Sequence, residues 1–416
     1  MAEMREAVVV DAVRTPFGRA GEKGVFRDIT NVELVVPILK AIIERNKLDA
    51  NLIDEIVMGS VGLAGPLTRA RHYLFEADLP QTISGTDLNK QCGSSLQAFV
   101  QGAQAIMTGM SDVVLAGGVE TMGRVGPVTP TEKGEGMVPG GLPGEGGAPK
   151  AELPPDWKEA ELLPTWPKKV EPWIMNMGMT AEKLAKEYKV TREDSDKFAL
   201  RSHQLTIKAQ QEGFFSDQIV PITIKYKDGT SVTVTEDQGP RADTSLEKLA
   251  TLKPAYVEGG QVTAGNACPR NDGASVVLIM EKNKARELGL KPLATFRHAA
   301  TIGVDPTIMG IGPVPATRKL FQRTGLSIDQ MDVIELNEAF ACQAVAVQRE
   351  LNAPDEKFNP HGGAVALGHP LGASGGRLVA QVARELNRTN GRLGLATLCM
   401  GGGMGMSVVL EREDYW

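Results

Sequence analysis

Two apolar periodicities alternate along the N-terminal part of the chain. Residues 7–10 (Ala7-Val8-Val9-Val10) are a short β-branched run, and 53–58 and 112–116 are apolar runs of strand length. Residues 32–45 instead place Leu34, Val35, Ile38, Leu39, Ile42 and Ile43 along one side of a helix. A strand-like stretch at 86–88 precedes a helix predicted to begin near Cys92 and to reach about Met107. Short buried strands alternating with amphipathic helices predict a parallel sheet covered by helices. The C-terminal part repeats the pattern. Strands are expected at 293–296, 333–336, 395–398 and 406–410, and helices at 316–323, 339–351 and 373–386.

The two ends also resemble each other residue by residue. Leu48-Asp49-Ala50-Asn51-Leu52-Ile53-Asp54-Glu55-Ile56 aligns without gaps on Leu326-Ser327-Ile328-Asp329-Gln330-Met331-Asp332-Val333-Ile334. Gly273-Ala274-Ser275-Val276-Val277-Leu278 echoes Gly405-Met406-Ser407-Val408-Val409-Leu410. Two matches in the same order predict a duplicated α/β half. The middle breaks the pattern. Residues 123–172 are dense in Pro and Gly, where regular structure is not expected. Residues 180–187 and 194–211 then read as helices studded with Lys and Arg. The segment reads as an insertion into the first half, which resumes near Val262. Its first part is equally a binding loop or a surface excursion.

Composition narrows the function. The chain has 416 residues, 45 Lys+Arg against 51 Asp+Glu, and a formal net charge of −6. That length fits two or three domains or repeated halves. With 42% hydrophobic residues a large core is available, which excludes wholesale disorder. The acidic balance argues against a nucleic-acid partner but leaves an anionic ligand open. Four cysteines are too few for a disulfide scaffold, so the thiols are catalytic or buried. No leader-like apolar core follows Met1, and no apolar run reaches membrane-span length. A cytoplasmic protein with no membrane association is expected.

Four places carry candidate chemistry. Cys92, in Asn89-Lys90-Gln91-Cys92-Gly93-Ser94-Ser95, sits where a strand passes into a helix. A helix N-terminus favours thiolate, the nucleophilic form, although a small residue buried at a tight joint reads the same way. His369 lies in Gly368-His369-Pro370-Leu371-Gly372, a sharp turn before a helix. Held there, it is a general-base candidate for a thiol. Cys399 precedes Met400-Gly401-Gly402-Gly403, whose backbone N–H groups are free to approach an oxyanion. Asn337 stands at a strand-to-helix joint, either as an N-cap or at the strand end where α/β sheets build sites. No Cys/His set has metal-site spacing, so no metal is expected.

Together these motifs resemble the thiolase family, in the family's order and over nearly the whole chain. The segments concerned are that around Cys92, Asn337-Glu338-Ala339-Phe340, Gly362 to Pro370, and Cys399-Met400-Gly401-Gly402-Gly403. Arg14-Thr15-Pro16-Phe17-Gly18, Met177 to Glu182 and Val262 to Asn266 also match. The resemblance implies an α/β, thiolase-like fold. Two similar βαβαβαββ halves would form a layered α-β-α-β-α core, with an inserted loop domain that binds coenzyme A. The expected boundaries are 1–123 with 256–284 for the first half, 124–255 for the insertion and 285–416 for the second half.

It also implies an acetyl-CoA C-acyltransferase working by ping-pong. Cys92 would form the acyl thioester and His369 would take its proton. Cys399 would act as the second acid/base. A water held by Asn337 would form one oxyanion site with His369, and the N–H groups of Cys92 and Gly401 would form the other. Arg241, Leu252, Met177, Met309, Cys268, Ala339 and Phe340 match positions that line the coenzyme A and acyl pocket. Coenzyme A would be a co-substrate, with no permanently bound cofactor. A homodimer or homotetramer is expected, with an accessory subunit as the further possibility.

Three positions depart from the family pattern. Cys268-Pro269-Arg270 stand where Ser-Gly and an apolar residue are usual, Asn176 stands where biosynthetic members often have His, and His361 stands where Asn is usual. Arg270 is either a partner for a substrate carboxylate or a surface residue. The alternatives are a partner-dependent thiolase-like subunit acting on an unusual, carboxylated or aromatic 3-oxoacyl-CoA, and a related condensing enzyme. The Cys399-to-Gly403 ending disfavours the condensing enzyme. Acyl-chain length and reaction direction are not encoded in these motifs.

Overall fold

The structure is a computed structural model that describes residues 5–62, 68–123, 176–226 and 228–416. The Pro- and Gly-rich stretch after Gly123 therefore lies outside the described residues. The first half runs β1 (Ala7–Arg14), β2 (Gly18–Arg19), α1 (Asn31–Arg45), β3 (Glu55–Gly59), α2 (Arg69–Glu76), β4 (Ser84–Leu88), α3 (Ser94–Met107) and β5 (Val113–Thr121). Next come α4 (Met177–Glu187), α5 (Arg192–Gln211), the hairpin β6 (Ile222–Lys225) and β7 (Ser231–Val234), and α6 (Leu246–Ala250). β8 (Asn271–Glu281) returns to the first half, followed by α7 (Lys282–Glu287). The second half contains β9 (Ala294–Gly303), a 3₁₀ segment (Pro306–Ile311), α8 (Pro313–Thr324), β10 (Val333–Leu336), α9 (Ala341–Leu351), α10 (Ala364–Leu367), α11 (Ser374–Thr389), β11 (Leu393–Met400) and β12 (Met404–Glu411).

The strands run β4-β3-β5-β8-β1 and then β9-β12-β11-β10, with β2 on β8. Among the described residues, the register pairs Val8–Thr295 and Val9–Ala294 join the two half-sheets. Their pairing repeats. β3 is parallel to β5 and β5 antiparallel to β8, just as β10 is parallel to β11 and β11 antiparallel to β12. The counterpart of β4 is reduced to one parallel bridge, Ile334 with Phe358. Both members of the first sequence echo enter a parallel strand through a short 3₁₀ turn, at Ala50–Leu52 and Ile328–Gln330.

Apolar stripes decide the layers. In α1, Leu34, Val35, Ile38, Leu39 and Ile42 are buried against the outer face of the first half-sheet. At about 2 kcal/mol for each aliphatic side chain, that face contributes on the order of 10 kcal/mol before ordering costs. A capping box starts the helix, with Glu33 N–H donating to Thr30 Oγ1 and Thr30 N–H to the Glu33 carboxylate. α3 and α11 share one core with residues from both half-sheets, including Leu96, Phe99, Leu378, Val382, Val277 and Val408. α8 and α9 cover the second half-sheet. The result is the layered α-β-α-β-α arrangement. A buried bidentate pair, Arg14 with Asp237 at 2.6 and 2.8 Å, ties the segment after β7 to β1.

Candidate active site

The Cys92 turn links β4 to α3. Gln91 before it is left-handed, with φ 52°, a conformation that costs a non-glycine residue about 1 kcal/mol or more. Ser94 holds the turn. Its hydroxyl donates to the Gln91 carbonyl at 2.6 Å and accepts from Lys90 N–H at 2.9 Å. Gly93 is required by a close approach, since a Cβ there would lie 2.2 Å from the Met400 sulfur. That approach brings the β11–β12 turn onto Cys92, and Gly401 N–H and the N–H of Cys92 itself both point at the thiol.

The helix terminus, expected to favour thiolate at Cys92, is opposed by burial. Burial pushes the thiol up to about 11, the two N–H groups pull back only part of that rise, and Glu120 adds to it. Cys92 keeps some solvent access. Cys268 and Cys399 are also held well above the usual thiol range by burial, each with a contribution from Cys92. The three thiols are therefore neutral groups, near enough for Cys92 to bear on the ionisation of the other two. The third, Cys268, sits in the departure from the family pattern, with its N–H donating to the Ala339 carbonyl at 3.1 Å.

His369 follows Gly368, whose φ of 106° is open to glycine and strained for other residues. Its backbone N–H donates to Asn271 Oδ1 at 3.0 Å, and Asn271 in turn donates to the Gly18 carbonyl. The ring orientation is fixed twice. Nδ1 lies 2.6 Å from Ser374 Oγ, and the Ser374 hydroxyl hydrogen goes to the Pro370 carbonyl at 2.9 Å. With its single hydrogen used, Ser374 Oγ accepts from Nδ1–H. Nε2 then carries the lone pair, the form a base needs. Burial pushes the imidazole down to about 3, and the charge of Arg377 adds to the shift. His369 is therefore neutral at physiological pH.

Asn337 follows β10 directly. Its Nδ2 lies 3.3 Å from His369 Nε2, and its Oδ1 accepts from Arg377 Nη2 at 3.1 Å. The N-cap reading of Asn337 does not hold, because the residue capping α9 is Phe340. Cys399, on β11, is buried beside the β11–β12 turn that carries Gly401. The His369 turn rests on the Cys92 helix: Gly376 N–H donates to Ser95 Oγ at 3.1 Å, and a Cβ on Gly375 would strike Leu96 backbone at 2.3 Å. Cys92, His369, Asn337, Cys399 and Gly401 are thus carried by four loops or strand ends that meet where α3 and α11 begin.

The residues expected to line the ligand pocket divide. Met309, Ala339, Phe340 and Leu252 belong to the same apolar cluster as Cys399, and Ala267 pairs with Phe340. Met177 opens α4 and is exposed, on a helix that packs against the 3₁₀ segment of Met309. Arg241 lies after β7 against His203, its N–H donating to His203 Nδ1 at 3.2 Å. Burial, then Arg241, push His203 down to about 4.

The other departures make contacts within the fold. Asn176 caps α4, accepting from Gly178 N–H at 2.9 Å. His361 stacks on Phe214 with ring centroids 3.6 Å apart and lies 2.8 Å from Glu385 Oε2. The Arg270 guanidinium donates to the Met122 carbonyl, while its backbone bridges to His369. Sequence reasoning missed Ser374, Arg377, Asn271 and Glu120. Glu120 accepts from Val61, Gly62 and Gly372 N–H and so pins the His369 turn to the loop after β3. The one available signal was Arg377, a charge within the otherwise small and apolar start of a helix.

Buried thiols and a neutral imidazole brought to one loop junction on a duplicated α/β scaffold are suited to acyl transfer through a thioester. The sequence matches the family described as "Thiolase, N-terminal domain" over residues 7–283 and "Thiolase, C-terminal domain" over residues 290–412. The chain belongs to the thiolase family. It is 43% identical to the 3-oxoadipyl-CoA/3-oxo-5,6-dehydrosuberyl-CoA thiolase of Escherichia coli K12, over 98% of this chain and 100% of that one. It is 42% identical to an acetyl-CoA acetyltransferase of Pseudomonas aeruginosa, over 99% and 100% respectively. Among solved structures, the Bacillus anthracis acetyl-CoA acetyltransferase superposes with a TM-score of 0.84 at 39% identity, covering 99% of this chain and 100% of that one. Human mitochondrial 3-ketoacyl-CoA thiolase gives 0.83 at 34% identity, covering 98% and 99%. The protein is an acyltransferase acting on acyl-CoA thioesters. Among the described residues no helix is long and apolar enough to cross a membrane.

Proposed function

We propose that this thiolase carries its acyl group on Cys92, with His369, Cys399, Asn337 and Gly401 as the catalytic set. The observation that carries the reading is the lone pair on His369 Nε2 beside Asn337, at the same loop junction as a thiol that receives Gly401 N–H. In the cleavage direction the Cys92 proton passes to His369 Nε2 as sulfur attacks the 3-oxo carbon. The bond between C2 and C3 breaks, and the acetyl-CoA enolate takes the proton of Cys399. Burial keeps Cys399 protonated and so ready to act as this acid. Coenzyme A then gives its thiol proton to Cys399 and attacks the thioester, and Cys92 recovers its proton from His369. The N–H groups of Cys92 and Gly401 would receive one oxyanion, and His369 with a water held by Asn337 the other. Both directions use the same groups.

Residues 124–255 would form the unit that holds coenzyme A, with Arg241, Leu252 and Met177 on it. Met309, Cys268, Ala339 and Phe340 would complete the pocket. No resident cofactor or metal enters this mechanism, and a cytoplasmic homodimer or homotetramer is the expected form.

Intact-mass analysis after incubation with acetyl-CoA, acetoacetyl-CoA, longer 3-oxoacyl-CoAs and 3-oxoadipyl-CoA tests the reading. An acyl increment that is lost in Cys92→Ala supports it, and the rank order across the panel reads the acyl preference. An increment retained in Cys92→Ala would sink it.

A further inference from the structure

Beneath the catalytic residues, Asn337 continues into a buried polar chain, Arg377 and Glu335, whose members the mechanism above does not use. Glu335, Asn337 and Arg377 are fully buried. The Arg377 guanidinium reaches Asn337 Oδ1 through Nη2 at 3.1 Å and Gln381 Oε1 through Nη1, and it stands 3.8 Å from Glu335. Among the described residues its Nε and both Glu335 carboxyl oxygens have no hydrogen-bond partner. A fully buried arginine with this much unmet hydrogen-bonding capacity is costly to the fold. Among the described residues its one hydrogen bond toward the reacting groups is with Asn337, and its charge also bears on His369.

We propose that Arg377 is the positioning residue that fixes the Asn337 amide, turning its N–H toward His369 Nε2 and the thioester oxygen. A guanidinium only donates, so the amide must present its oxygen to Arg377. Nδ2 is then forced to the opposite side, 3.3 Å from His369 Nε2. In the reversed amide, two sets of donors would face each other without water, and an acceptor would replace the N–H offered to the developing oxyanion. Gln381 holds the guanidinium from the next turn of α11 and so sets its angle.

The inference rests on the catalytic reading of Asn337, and a double-mutant cycle separates the two. Arg377→Lys and Arg377→Met are each made in wild-type and Asn337→Ala backgrounds, and turnover of acetoacetyl-CoA with CoA is measured per folded molecule. In the wild-type background, Met should lower kcat by about 10- to 100-fold, bounded by the loss expected for one oxyanion donor. Lys keeps a donor-only cation and should lose less. KM should stay within about threefold. In the Asn337→Ala background both substitutions should cost less than about twofold, because their target is gone. Equal losses in the two backgrounds, or a folded Met variant within threefold of wild-type kcat, would overturn the role of Arg377. If Asn337→Ala alone turned over normally, the catalytic reading of Asn337 would fall instead.

Discussion

The protonation state of Cys92 offers the sharpest test of the site. The perturbation is pH, and the readout is alkylation of the Cys92 peptide by iodoacetamide, followed by mass spectrometry so that the other thiols are counted apart. With the thiol pushed up to about 11, roughly one molecule in 10⁴ carries thiolate at pH 7. An ordinary exposed cysteine carries about 3%. The gap is about 300-fold. Higher basicity makes each thiolate more nucleophilic, with a Brønsted slope of about 0.45, and recovers roughly tenfold. Alkylation at pH 7 should therefore run about 20- to 30-fold slower than for a free cysteine. It should climb close to tenfold per pH unit until pH 10 or beyond. Burial leads the causes of the shift and His369 is not among them, so His369→Gln should leave this profile in place while abolishing turnover. A midpoint below pH 9 would refute the reasoning. It would mean that the helix end and the two N–H groups outweigh burial, and that a thiolate waits in the resting enzyme.

Three further outcomes follow from named contacts. In Gly118→Ala, the new Cβ would lie 2.0 Å from the Gly372 carbonyl oxygen and 2.6 Å from that of Gly59, with only backbone to yield. A loss near the upper end of the 1–3 kcal/mol overpacking range and a fall in kcat from the displaced His369 turn are expected, and an unchanged melting temperature would contradict this. Burial pushes Glu335 up to about 8 although Arg377 opposes the shift, so the fold favours the neutral acid. Stability is therefore present below about pH 4.5 and lost as pH rises toward 8. Glu335→Gln should gain about 3 kcal/mol at pH 7 and almost nothing at pH 4, and a gain independent of pH in denaturant titrations would count against it. Ser374→Ala removes the acceptor of His369 Nδ1–H and frees the tautomer. It should lower kcat about tenfold with KM for CoA little changed, and unaltered turnover would show that the tautomer is fixed by other means.

The apolar pattern by itself determined the halves and most of their elements. The stripe at 34–43 in α1 and the runs that became β3, β5, β10 and β11 are local signals, because burial on one face imposes its period on the chain. Gly93, Gly368 and the 401–403 glycines also marked the reactive turns, since only small or left-handed residues allow those close approaches. The charge state of the chemistry was not legible. The start of α3 suggested a thiolate at Cys92, but burial comes from Met400, α11 and the β11–β12 turn, which are hundreds of residues away. The orientation of Asn337 is likewise decided by Arg377, 40 residues on, and the tautomer of His369 by Ser374 and Pro370 together. Motifs pointed to candidate reacting groups because covalent chemistry restricts residue type. Protonation and orientation depend on desolvation and on which donors meet across the fold, and only the tertiary structure brings those groups together.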